Sequence, residues 1–349
     1  METKIIDIQN EYDLALDTAS EIIREGGLVA FPTETVYGLG ADAFNARAVE
    51  DIFRAKGRPQ DNPLIVHICD KDQIDELAFD IPYIAKELTE DFWPGPFTVI
   101  LKKRPCVPDI VTAGLDTVAI RFPSNAFAHD LILKSGRFIA APSANSSGRP
   151  SPTSAAHVKE DLMGKIPLIV DGGRCTVGVE STVCMFKGDR PVILRPGGIT
   201  AEMIKDIAGR VEIHDAVLGD IIEEKPASPG MKYKHYAPKA EVEVFVGDEM
   251  SVAKEIDIRY NDYDAESIVF CLEGQKRLYT GKRVRSLGKD HAAAARTLFA
   301  ALREADSEGI KKILFHGVSN EDEGLAVMNR IIRAAGHNVT IVPKEENIG

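Results

Sequence analysis

Four short segments carry the side chains best suited to chemistry. The first is Pro32-Thr33-Glu34-Thr35-Val36-Tyr37-Gly38-Leu39-Gly40. Two threonines and a glutamate directly behind an apolar run are costly to bury unless they hydrogen-bond. The second is Lys56-Gly57-Arg58-Pro59-Gln60-Asp61-Asn62-Pro63. A helical run ends at Lys56, and Gly57 lets two cations turn toward one point. Paired cations suit phosphate oxygens, and a guanidinium can hold two oxygens at once. The third is Ala141-Pro142-Ser143-Ala144-Asn145-Ser146-Ser147-Gly148, a strand running into hydroxyls, an amide and exposed N–H groups that could nest an anion. The fourth pairs Glu180-Ser181-Thr182-Val183 with Leu194-Arg195-Pro196-Gly197, where Arg195 closes an apolar strand and needs a partner.

Each feature has an ordinary structural explanation when taken alone. Lys56 and Arg58 suit a surface helix C-terminus. Thr33 and Thr35 could be strand hydroxyls, and Ser143 and Asn145 could simply form a turn. His67 could be a satisfied core histidine, and Arg121 and Arg195 could be structural ion pairs with Glu34 and Glu180. The concurrence of cations and hydroxyls at several strand ends is what asks for one common cause.

Other chemistries are not written here. The chain has no G-x-x-x-x-G-K-[ST], no H-E-x-x-H and no G-x-S-x-G. Gly38-Leu39-Gly40-Ala41-Asp42-Ala43 matches G-x-G-x-x-A loosely, but a helix starts only at Asn45. These glycines are therefore expected to permit a turn at the end of a strand, and no organic cofactor is expected. The five cysteines (69, 106, 175, 184 and 271) form no C-x-x-C pair, so neither a disulfide framework nor a four-cysteine zinc site is expected.

The elements that must position these segments form two groups. Over the first ~210 residues, Leu28–Phe31, Leu64–Ile68, Phe97–Leu101, Val118–Phe122, Phe138–Ala141, Leu168–Val170 and Val192–Leu194 read as strands. Helices are expected where Leu14, Ala15, Ala19, Ile22 and Ile23 recur at helical spacing before Gly26-Gly27, after Asn45, and over 125–135, 153–163 and 200–208. This describes an α/β domain with a twisted mixed sheet. Pro226, Ser228, Pro229, Gly230 and Pro238 then break regular structure. Behind them Val242–Val246, Ile268–Leu272, Ile313–Phe315 and Val339–Val342 alternate with helices over 292–305 and 325–335, which favours a second, smaller, Rossmann-like parallel α/β domain. The expected division is 1–212, a linker over 213–238, and 239–349.

A chain of 349 residues with 44% hydrophobic and 28% charged residues fits two soluble domains. Net charge is −12, and both halves are acidic (−7 over 1–210 and −5 over 211–349), so neither is a basic nucleic-acid module. The run Lys276, Arg277, Lys282, Arg283, Arg285 and Lys289 is the local exception, read either as a solvated face or as a site for an anionic partner. No span long enough for a membrane and no secretory signal is visible, and the cysteine usage points to the cytoplasm.

Taken together, Pro32–Leu39, Lys56-Gly57-Arg58 and Ser143–Gly148 resemble the signature of the YrdC-type domain. Ser228-Pro229-Gly230-Met231 and His235-Tyr236-Ala237-Pro238 resemble the linker of the long, two-domain L-threonylcarbamoyladenylate synthases. The resemblance implies that residues 1–212 are the catalytic domain and that L-threonine, bicarbonate and ATP yield threonylcarbamoyl-AMP and pyrophosphate. That product would serve modification of the adenosine next to the anticodon of certain tRNAs through a separate transferase. The carbamate intermediate is labile in water, so the pocket must hold it dry and close to the α-phosphorus. By resemblance Lys56, Arg58, Ser143 and Asn145 carry the catalytic machinery. The same four residues, with Asn62, Thr117, Ser151 and Arg195, would bind ATP, and Tyr236 would close over the nucleotide as part of a lid. Thr35, His67, Arg121 and Ser181 would hold threonine. Mg²⁺ is expected with ATP, no residue is expected to hold metal by itself, and no covalent nucleophile is required.

Two other classes compete. A YrdC-type cationic face could bind RNA in ribosome assembly, but the acidic balance and the lack of interleaved aromatics disfavour it. A carbamoyl-transfer enzyme is the third reading, for which zinc-finger cysteines would be expected.

Overall fold

The computed structural model describes residues 1–217, 219, 236–263 and 266–344. Two units are present: Met1–Ser147 with Ser151–Tyr233, and Gly148–Pro150 with Lys234–Gly349. Most of the expected linker over 213–238, including residues 228–231 and His235, lies outside the described residues.

The first unit begins with β1 (Lys4–Asp7), α1 (Ile8–Arg24), β2 (Val29–Phe31), β3 (Gly38–Asp42), α2 (Ala46–Lys56) and β4 (Ile65–His67). It continues through α3 (Ile74–Leu77), β5 (Ala78–Phe79), α4 (Tyr83–Phe92), β6 (Phe97–Lys103), α5 (Asp109–Thr112), β7 (Thr117–Arg121) and α6 (Ala126–Ser135). It ends with β8 (Ile139–Ala140), α7 (Ala155–Leu162), β9 (Leu168–Asp171), β10 (Thr182–Lys187), β11 (Arg190–Arg195), α8 (Ala201–Ala208) and β12 (Glu212–Ile213). All twelve strands join one mixed sheet in the order β1-β9-β2-β3-β8-β4-β7-β6-β10-β11-β12, with β5 on the side of β6. Helix starts follow capping chemistry: the side chains of Asn45, Asn125 and Thr200 accept from Ala48, Ala128 and Met203 N–H. The α2 helix stops at Gly57, whose φ of 63° is left-handed. After β12 the chain still packs on this unit, with Ala216 and Val217 buried.

Alternation sorts the strand side chains. Val66, Val99 and Ile120 face the main apolar core with residues of α2, α4 and α7. Ile65, Ile100, Ala119, Val183, Val192 and Leu194 form a smaller cluster on the opposite face. The mixed sheet agrees with the sequence reading, but five of its strands were not expected, the two-residue β5 and β12 among them. Gly38–Asp42 is a strand, not the expected turn. It pairs antiparallel with β2, Gly40 opposite Val29 and Gly38 opposite Phe31. A Cβ on Gly40 would lie 2.7 Å from both Phe31 and Ile139, so glycine is there to let Phe31 cross closely. Lys4–Asp7 and Thr182–Lys187 also form strands where none was expected.

The second unit contains β13 (Glu241–Gly247), α9 (Glu249–Tyr263), β14 (Ser267–Cys271), β15 (Val284–Ser286), α10 (His291–Ser307), β16 (Lys312–His316), α11 (Gly324–Ala334) and β17 (Val339–Val342). Its five strands are all parallel, in the order β15-β14-β16-β13-β17, and β14 and β16 are buried throughout. Continuous burial is what helices packed on both faces of a parallel sheet require. The strand β15 runs through the basic segment. Each cation there meets a carboxylate of its own chain: Lys276–Glu273 at 3.2 Å, Arg277–Glu249 at 3.0 Å, Lys282–Asp257, Arg283–Glu308 at 2.6 Å, Arg285–Glu308 at 2.5 Å and Lys289–Asp290 at 3.9 Å. The run is thus neutralised locally, which favours the solvated face over an anionic partner.

Candidate active site

Register places several of the singled-out side chains in one line. His67 on β4 is opposite Arg121 on β7, and Arg121 is opposite Thr98 on β6. Thr98 is opposite Val183 on β10, and Val183 is opposite Arg195 on β11. Directly paired residues share a sheet face. Two residues away along the same strands stand Ile65, Ala119 and Ile100, so the polar row borders a small apolar floor.

Hydrogen bonds hold the two ends of the row separately. Arg195 donates from Nε to the Ser181 carbonyl (3.1 Å) and from Nη2 to Ser181 Oγ (3.1 Å). Ser181 Oγ lies 2.7 Å from Thr98 Oγ1, and both residues are fully buried. Arg121 donates from Nη2 to Glu34 Oε1 (2.7 Å) and from Nε to Gly95 O (3.4 Å). Its Nη1 has no hydrogen bond to a described residue. His67 stands beside Arg121 with Nδ1 3.2 Å from Ile65 O. Burial, aided by the neighbouring guanidinium, pulls its imidazole down to about 3, so the ring is neutral at physiological pH.

The other half is a caged cation. Lys56 is 4% exposed, contrary to a surface helix terminus. Its Nζ donates to the carbonyl oxygens of Ser143 and Asn145, the latter at 2.5 Å, with Asn145 Oδ1 at 3.4 Å. Ser143 Oγ donates to Asn145 Oδ1 at 2.6 Å, so the Ser-x-Asn loop folds around the ammonium. These acceptors are neutral oxygens, and they tie the loop to the end of α2. Arg58 reaches back to Asn62 O (3.3 Å) and Pro63 O (3.1 Å), which fixes the turn after α2. Asn62 is buried, and its Oδ1 has no hydrogen-bond partner among the described residues.

Backbone bonds join the four segments. Leu39 N donates to Pro142 O (2.8 Å) and Ala144 N to Tyr37 O (2.8 Å), which ties the first to the third. Ser147 N donates to Lys56 O (2.9 Å), which ties the third to the second. Val177 N and Gly178 N donate to Glu34 O (2.8 Å) and Thr35 O (3.1 Å), which brings in the approach to Ser181. Thr35 is fully buried, with its hydroxyl 2.8 Å from Thr33 Oγ1. Ser151 Oγ donates to Glu180 Oε1.

Comparison with known proteins places the chain in a family. A family model described as "Telomere recombination" (Sua5/YciO/YrdC) matches residues 21–197, and one described as "Threonylcarbamoyl-AMP synthase, C-terminal domain" matches 199–336. Threonylcarbamoyl-AMP synthase of Pyrococcus abyssi is 50% identical over 92% of this chain and 94% of its own. The chain belongs to the threonylcarbamoyl-AMP synthase family. The Bacillus subtilis synthase is 46% identical over 97% of this chain and 99% of its own. A crystal structure of Pyrococcus abyssi Sua5 complexed with L-threonine superposes with a TM-score of 0.92 at 47% identity, covering 97% of this chain and all of that one.

Thr117 and Tyr236 are the remaining expected positions of this synthase-family chain. Thr117 opens β7, four residues before Arg121, opposite Lys102, and its hydroxyl makes no hydrogen bond to a described residue. Tyr236 is buried within the second unit, its ring 5.2 Å from that of Phe299, and the Arg330 guanidinium carbon lies 5.5 Å above it. One contributor to the row was not anticipated. Thr98 lies inside an apolar strand, where threonine is an ordinary strand residue, so type and spacing carry no signal.

Proposed function

We propose that this chain condenses L-threonine, bicarbonate and ATP into L-threonylcarbamoyl-AMP with release of pyrophosphate. The observation that carries the reading is the register row His67–Arg121–Thr98–Arg195, in which Ser181 links Thr98 to Arg195, together with the Lys56 cage that backbone bonds tie to the same segments. The L-threonine bound by the Pyrococcus abyssi relative supports it. In this reading Arg121 meets the threonine carboxylate with the N–H groups it has left. Thr35, Ser181 and the neutral His67 meet the rest of the amino acid. Lys56, Arg58, Asn62, Ser143, Asn145, Ser151 and Arg195 hold the nucleotide, with Thr117 and Tyr236 as additional contacts. The carbamate oxygen attacks the α-phosphorus, and fixed cations stabilise the charge that develops on the phosphates.

Among the described residues no group of three His, Cys, Asp or Glu side chains is placed to hold a metal ion. We assign Mg²⁺ to the bound ATP, where it would neutralise charge on the phosphates. The product would feed a separate transferase that modifies tRNA. No helix among the described residues is long and apolar enough to cross a membrane. The five cysteines are free thiols, which suits a reducing compartment, and we place the reaction in the cytoplasm.

The test is mass spectrometry of the protein with threonine, ATP, Mg²⁺ and isotopically labelled bicarbonate. Label in a threonine–AMP adduct, with stoichiometric pyrophosphate, is the expected result. Tight, salt-sensitive RNA binding without turnover would replace it with the RNA-binding reading.

A further inference from the structure

The ion pair between Glu34 and Arg121 is asymmetric. One carboxylate oxygen, Oε1, accepts from Arg121 Nη2. The other, Oε2, is buried and has no hydrogen-bond partner among the described residues, in a side chain only 9% exposed. Buried carboxylate oxygens are normally saturated, because leaving one without a donor forfeits its hydration. Arg121 mirrors this with an uncommitted Nη1. One site thus presents a spare cationic donor and a spare anionic acceptor side by side. An α-amino acid carries the complement, a carboxylate and an ammonium on one carbon. Four charges, two of each sign, would then sum to zero in a site with little water.

We propose that Glu34 Oε2 receives the α-ammonium of the amino-acid substrate and takes the proton that must leave before its nitrogen can react. This rests on the reading of the row as the threonine pocket. The ammonium has no lone pair, so it cannot attack a carbonyl carbon. One proton passes from nitrogen to Oε2, leaving R–NH₂ and a neutral Glu34. The nitrogen lone pair then forms the N–C bond to bicarbonate. The C–OH bond breaks, and the hydroxide leaves as water with a second proton from nitrogen, giving R–NH–COO⁻. The proton on Glu34 returns to solvent as product leaves, through the cleft of about 290 Å³ that Glu34 lines with Thr33, Ser124, Arg174 and Cys175.

The charged and titratable groups facing Glu34 do not offer an alternative base. Arg121 on β7 and Arg174 are cations. His67 on β4 holds a proton only near pH 3. The Cys175 thiol is pushed up to about 12 by burial and then by the charge of Glu34, so it stays protonated.

Glu34→Gln keeps the shape and removes the base. Wild-type threonine-dependent pyrophosphate release should be nearly flat with pH from 7 to 9. E34Q should lose at least 100-fold in kcat/KM for threonine at pH 7, shift the ATP KM by less than twofold, and regain about tenfold per pH unit as free amine forms. Glu34→Asp, which keeps a carboxylate, should be slower but flat. Binding gives a readout without turnover: wild type should reject N-acetyl-L-threonine relative to L-threonine, and E34Q should lose most of that preference. A flat profile in E34Q, or an E34D profile as steep as the tenfold rise expected of E34Q, overturns the proposal. Should E34Q fail to fold, the E34D profile decides in the same way. A wild type that releases no threonine-dependent pyrophosphate would instead sink the reading of the pocket itself.

Discussion

Arg195 grips Ser181 at two points, with Nε on the carbonyl oxygen and Nη2 on Oγ, each at 3.1 Å. Ser181 Oγ passes the contact on to Thr98 Oγ1 at 2.7 Å. The serine hydroxyl is thus the middle of a chain from β11 to β6. Ser181→Ala removes it but leaves the Arg195–carbonyl bond in place. The expected result is a threonine KM raised about 5- to 30-fold, corresponding to about 1–2 kcal/mol for a lost buried hydrogen bond, with the ATP KM moved much less. Steady-state pyrophosphate release over both substrates checks this. Equal changes in both KM values would place Ser181 outside the threonine pocket.

Lys56 and Arg58 should separate when mutated. Lys56 is buried, and its ammonium joins α2 to the Ser143 and Asn145 loop, so Lys56→Ala strands carbonyl oxygens inside the protein. It should abolish turnover and also cost about 1–3 kcal/mol of stability. Arg58 is only partly buried and bonds within its own turn. Arg58→Ala should abolish turnover with a smaller loss. Urea unfolding beside the activity assay distinguishes them, and a Lys56→Ala protein as stable as wild type would show that the cage is not structural.

Much of this site was readable because its signals are local. Gly57 after Lys56, the Ser-x-Asn turn and an arginine ending an apolar strand all announce themselves by type and position. The Glu34–Arg121 pair was legible as a possibility, since a buried strand arginine must find a carboxylate. Legibility failed where packing decides. Gly38 and Gly40 carry the same residue type in a turn or in a strand crossed by a large ring, and only the fold puts Phe31 and Ile139 against Gly40. Thr98 gains its role from a register across three strands, which no single segment contains. The depth of Lys56 was missed for the same reason, because the carbonyls around it come from residues about ninety positions away.

Gly40 offers a direct test of that packing. Its backbone is extended, so alanine carries no φ penalty there, and any cost comes from the Cβ placed 2.7 Å from Phe31 and Ile139. Gly40→Ala should destabilise by about 1–3 kcal/mol, as overpacked cores do. Phe31→Leu should recover part of that loss in the double variant, because the two side chains compete for one space. Urea midpoints of the four proteins measure the coupling. Strict additivity would mean that the alanine is accommodated elsewhere.

Acid should weaken the fold through its buried imidazoles. His67 is held neutral down to about pH 3 by burial and then by Arg121, and His316 down to about 4 by burial beside Tyr279, whose hydroxyl lies 2.5 Å from its Nδ1. An unfolded histidine takes a proton below about pH 6.5. Between that value and the folded one, the unfolded chain binds more protons, so stability falls as pH falls. Each group contributes up to about 1.4 kcal/mol per pH unit. Above pH 6.5 neither contributes a slope. His67→Gln should therefore flatten the loss of stability between pH 6.5 and 4 by close to one proton relative to wild type, and His316→Gln should do the same in the second unit. Carboxylates titrate equally in all three proteins, so the difference isolates the imidazole. An H67Q protein with the wild-type slope would show that His67 protonates in place, and with it would go the neutral ring assigned to the threonine pocket.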